Sequence, residues 1–168
     1  LPQGDAEAAK AHAAQLTGIP REHIFISCTH THYGPATLGA LGTPRDEAYM
    51  AQLPAWIGES VRLAQVRLQP AQTGVASGAC TGESFNRRWH MTGGAVVANF
   101  AVGHQNPAAL RPAGPTDPEV LALAVCTPQG DPIALLANYA LHYVDAGEPE
   151  AISANYFGCF DRALQRLA

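Results

Sequence analysis

The chain has 168 residues, of which 47% are hydrophobic and only 14% charged, with a formal net charge of −4. That size suits one domain, and the apolar content excludes wholesale disorder. The acidic balance, with Lys10 the single lysine, argues against a nucleic-acid binder.

Residues 5–16 are built from strong helix formers, with Asp5 and Glu7 where the helix dipole favours negative charge and Gly18 and Pro20 as stops. Residues 24–32 (Ile-Phe-Ile-Ser-Cys-Thr-His-Thr-His) are rich in β-branched side chains and predict a strand, ended by Gly34-Pro35. Residues 46–68 repeat apolar side chains at a helical period, among them Tyr49, Met50, Leu53, Trp56 and Val61, and Pro54 predicts a start or a kink inside that helix. Alternation over 73–80 predicts a second strand. Residues 82–118, dense in Gly, Pro and Asn, read as a long irregular loop. Residues 119–127 and 132–142 read as a hairpin around Pro128-Gln-Gly-Asp131, and the second strand is apolar on both faces, as a central buried strand is. Residues 153–167 predict a closing helix.

The expected class is α/β, a mixed β-sheet with flanking helices in a single domain over residues 1–168. The apolar run 132–144 is too short to span a bilayer, no signal peptide opens the chain as given, and no transmembrane segment is expected. Cys28, Cys80, Cys126 and Cys159 form no CxxC pair and are expected as free, buried thiols.

The chemistry concentrates in Thr29-His30-Thr31-His32. On a strand, residues two apart share a face, so His30 and His32 point the same way. Two neutral imidazoles side by side suit a shared cation such as Zn²⁺; the plainer reading is two surface histidines. His142, at the mouth of an apolar strand with Asp145 three residues on, is a candidate third ligand or simply a hydrogen-bonded strand end. Asn86-Arg87-Arg88-Trp89-His90 offers the donor fork of Arg87 for a carboxylate or a developing oxyanion, and a further imidazole in His90; otherwise it is a solvated charge pair. Ser153 is a natural N-cap for the closing helix, a role compatible with a site role. No P-loop, GxSxG elbow or GxGxxG occurs.

Residues 26–35 (Ile-Ser-Cys-Thr-His-Thr-His-Tyr-Gly-Pro) closely resemble the Ser-Ala-Thr-His-Thr-His-Ser-Gly-Pro signature of the neutral/alkaline (non-lysosomal) ceramidase family, in its N-terminal catalytic domain. Phe85-Asn86-Arg87 resembles that family's Asn-Arg segment. The segment from Asn138 to His142 is similar to its Phe-Ala-Val-His strand. The segment from Ile152 to Asn155 is similar to its Ile-Ser-Gly-Asp segment. The resemblance runs from about residue 5 to the end, and its loop wording is closer to uncharacterised bacterial relatives.

The resemblance implies that His30 and His142 bind zinc. It places His32 beside the metal against substrate or oxyanion, and Arg87 near the scissile group. Ser153 joins them as a candidate catalytic residue. The family's glutamate and tyrosine ligands come later in its chain, and no segment here matches them. Asp145, His90 or Tyr156, or a second chain in a homo-oligomer, are the candidates to complete the site. The family's aspartate is Asn155 here. The implied protein is part of a larger zinc hydrolase, incomplete at both ends and secreted or periplasmic. It would cleave an N-acyl sphingosine-like amide or a related ester, a small-molecule or lipid-like substrate, by metal-activated water. The alternatives are a non-catalytic fragment and a promiscuous zinc esterase or phosphotriesterase.

Overall fold

A computed structural model describes residues 1–98, 106–144 and 151–167. The chain forms two compact units, Leu1–Gln69 with Tyr143–Ala168, and Pro70–His142. Helices and strands both occur, as the α/β expectation requires, and every described strand pairing is antiparallel.

The first unit is organised by two helices, α1 (Gln3–Thr17) and α2 (Glu47–Val66). Gly18 ends α1 in the left-handed conformation, φ 73°, and its N–H donates to the Ala14 carbonyl at 2.8 Å. That conformation is cheap for glycine and expensive for residues carrying a Cβ. The Asp46 carboxylate caps α2 by accepting from the Tyr49 N–H at 2.9 Å. With that cap in place the helix starts before Pro54 and runs through it.

Small residues let the two helices approach closely. Ala9 and Ala13 are completely buried, Gly58 is buried, and Met50 is only 2% exposed. A Cβ on Gly58 would run into the His12 ring and stand 3.1 Å from the Ala13 nitrogen. Arg45 clamps the start of both helices. Its Nη1 and Nη2 donate to the Asp5 carboxylate at 2.7 and 2.9 Å, and its Nε to Glu47 at 3.2 Å. The hydrogen bonds from Arg45 hold the Asp5 carboxyl below the usual carboxylate range.

Residues 24–32 form no strand. Ile24 is buried and Phe25 is 88% exposed, but no described strand takes up their backbone groups, and His30 adopts a left-handed φ of 62° that breaks the extended run. β-branched composition supplies the propensity; a ladder also needs a neighbour.

The second unit holds two three-stranded sheets. One has the order β1-β5-β6, with β1 (Gln72–Ala79), β5 (Glu119–Cys126) and β6 (Pro132–Tyr139). Gly130, φ 97°, closes the β5–β6 turn. The apolar β6 is therefore an edge among the described strands, not the central strand its composition predicts, and Leu136 is 69% exposed. The other sheet overturns the loop expected over 82–118. It has the order β3-β2-β4, with β2 (Arg88–Met91), β3 (Val96–Ala98) and β4 (Ala109–Pro112). Gly93 and Gly94, φ 97° and 86°, form the β2–β3 turn. No described side chain of this unit is buried.

The closing helix α3 (Asn155–Leu167) belongs to the first unit. The four cysteines are free, as expected. Cys28 and Cys159 are exposed and the other two half-buried, so the expectation of burial fails. Among the described residues no helix is long and apolar enough to cross a membrane.

Candidate metal centre

The two histidines of the Thr-His-Thr-His segment meet, by a route other than strand alternation. The left-handed turn at His30 bends the backbone, and the His30 and His32 rings lie edge to face with centroids 5.0 Å apart. Thr31 supports the bend: its Oγ1 accepts from the Tyr33 N–H at 3.2 Å. A left-handed non-glycine residue costs about 1–2 kcal/mol, and such strain concentrates at functional sites.

Within the first unit, His30 and His32 each offer one nitrogen that could hold a metal ion, and these atoms lie within 4.8 Å of one another. His142 ends the second unit, three residues after β6. All three side chains are exposed. Neutral imidazoles suit borderline first-row ions better than the hard, oxygen-seeking Mg²⁺ and Ca²⁺.

The other candidates are placed differently. His90 lies in β2, paired with Val96 on one side and Arg111 on the other. Arg87 is exposed just before β2, in a stretch pinned by Asn86, whose Oδ1 accepts from the Arg88 N–H at 2.9 Å. Asp145 lies outside the described residues. Tyr156 packs with Tyr143 and Phe157, with centroids 5.5 and 4.7 Å away. The Ser153 Oγ accepts at 2.9 Å from the N–H of Asn155, the first residue of α3.

Within the first unit, His32, Tyr33, Gly34, Pro35, Ala151 and Ile152 line an open cleft of about 400 Å³. Its two walls are joined by the Ser153 N–H, which donates to the Tyr33 carbonyl at 3.2 Å. Just beyond Ser153, the hydroxyl of the buried Tyr143 donates to the Ala154 carbonyl at 2.7 Å. Sequence reasoning stopped at His142 and missed Tyr143; an aromatic residue directly after a candidate ligand was the available signal. No family model, curated protein or solved structure matches the chain.

Proposed function

We propose that the chain carries the metal-binding core of a zinc-dependent hydrolase acting on a carboxylic amide or ester, as its resemblance to the neutral/alkaline ceramidases implies. The observation that carries this reading is the approach of His30 and His32 within the first unit, to which the resemblance adds His142 as the third ligand. A zinc ion with Zn–N bonds of ~2.0–2.1 Å draws its nitrogens to roughly 3.3 Å of one another. The His30 and His32 nitrogens lie within 4.8 Å of one another on exposed side chains, and a bound zinc would draw them closer. Three neutral ligands leave a fourth position open. The ion, when bound there, supplies a Lewis acid and lowers the pKa of a coordinated water toward ~7.

His32 joins the ligand set in this reading, in place of the oxyanion role that the family resemblance gives it. Arg87 then remains the cationic fork that would steady negative charge developing on a carbonyl oxygen. Ser153 acts through the backbone, its N–H joining the two walls of the cleft.

Metal content after equilibration with zinc tests the reading, with His30→Ala/His142→Ala as the comparison. One equivalent in the wild type and none in the double variant is expected, and equal binding in both sinks the proposal. Hydrolysis of p-nitrophenyl esters or of a fluorogenic ceramide, abolished by chelator and restored by zinc, is the accompanying activity result. Stoichiometric zinc without turnover of any ester or amide leaves a metal-binding module and overturns the hydrolase assignment.

A further inference from the structure

Resting on that metal-site reading, the geometry points to the cleft beside His32 as a seat for a short, uncharged acyl group, with Ile152 as the residue that sets its specificity. Three observations support this. First, His32 belongs both to the His30–His32 pair and to the cleft lining, so a ligand held at that pair lies beside the cleft. Second, none of the described lining residues is acidic, lysine or arginine; Pro35, Ala151 and Ile152 make an apolar wall, and Ile152 is 84% exposed. An isoleucine left so exposed beside a metal site gains from covering by an apolar ligand, and a charged ligand there would lose hydration without finding a partner.

Third, the cleft is braced. The Ser153 N–H ties the 151–153 wall to Tyr33, and the Tyr143 hydroxyl holds the next peptide. A bound group therefore meets walls already in place and bears less of the ordering cost. About 400 Å³ falls at the small end of the ~300–1,000 Å³ usual for small-molecule sites, and the cleft is open to solvent. That favours an acyl chain of a few carbons over a long one.

Cobalt(II)-loaded protein tests this without relying on turnover, because its visible spectrum reports ligands entering the metal sphere. A series of alkyl hydroxamates from acetyl to octanoyl is titrated against it. Affinity is expected to rise about two- to fourfold per methylene over the first few carbons and then to level off. Succinyl hydroxamate, negatively charged at its far end, is expected to bind at least tenfold more weakly than the neutral chain of equal length. In Ile152→Asp the dependence on length is expected to disappear while cobalt still binds and the circular dichroism spectrum stays as in the wild type. In Ile152→Leu the dependence is expected to persist. Cobalt binding with hydroxamate affinity independent of length, or an unchanged slope in Ile152→Asp, overturns the cleft assignment and leaves the metal site standing. Absence of cobalt binding overturns the metal site and the cleft assignment together.

Discussion

The left-handed backbone at His30 makes a prediction that separates strain from ligation. At φ 62° a residue carrying a Cβ costs about 1–2 kcal/mol over glycine. The side chain is exposed, so truncating it removes little packing. His30→Ala keeps the Cβ and the strain; His30→Gly removes the strain and adds about 0.5–1 kcal/mol of unfolded-state entropy. In chelator the glycine variant is therefore expected to exceed the alanine variant by about 0.75 kcal/mol, the difference of the two mid-range values. With a urea slope near ~2 kcal/mol/M that is a midpoint difference of about 0.3–0.5 M, read by circular dichroism. Zinc at a hundred times its dissociation constant is expected to add about 2.7 kcal/mol to the wild type and much less to either variant. An alanine variant as stable as the glycine variant would falsify the strained-backbone argument. Equal zinc stabilisation of all three proteins would remove His30 from the ligand set.

Four further substitutions, one of them a second-site change, probe the first unit. Gly58→Ala drives a methyl into His12 and close to the Ala13 nitrogen, and an overpacking cost of about 1–3 kcal/mol is expected in thermal or urea unfolding. His12→Ala in the same chain should recover part of it, since the ring yields and the backbone nitrogen does not. Because Arg45 lowers the Asp5 pKa in the folded state, Asp5 contributes stability that is fully present above the unfolded carboxylate value of about 3.9 and is lost as pH falls through the lowered folded value. Asp5→Asn is thus expected to be less stable than the wild type at pH 7, with the gap closing below pH ~4; a gap unchanged at pH 2.5 contradicts the ion pair. Tyr143→Phe deletes the donor to the Ala154 carbonyl and should cost about 1 kcal/mol, measured by urea unfolding.

Much of the architecture is legible in the sequence where local chemistry decides it. Asp46, Gly18 and Gly130 act through their own backbone or side-chain geometry, and the elements they bound appear where they mark them. The strand predicted over 24–32 fails for the opposite reason: its pairing depends on partners that composition does not name. The strands β2, β3 and β4 are three or four residues long, too short for alternation to show, so their Gly and Pro content reads as loop. In retrospect Gly93-Gly94 between Trp89 and Val97 is a hairpin signal. The apolar faces of β6 report a demand for burial, which the edge position among the described strands leaves unmet.

The histidine pair shows how a correct juxtaposition can follow from a wrong local geometry. On a strand, residues two apart rise ~6.6 Å along the chain, so two parallel rings must lean together to share an ion. The bend at His30 replaces that lean with a turn, and Thr31 holds the turn by accepting from the Tyr33 N–H. Thr31 is not a ligand, yet its hydroxyl biases the chain toward the conformation in which the rings meet. Loss of one such hydrogen bond is worth about 1 kcal/mol, or roughly fivefold in zinc affinity. Thr31→Val is expected to bind zinc about fivefold more weakly by competition with a chromogenic chelator, and Thr31→Ser to bind as the wild type does. Equal affinity in all three would mean that the turn stands without its hydroxyl. Weakness in serine alone, with valine binding as the wild type does, would trace the effect to the threonine methyl instead of the hydrogen bond.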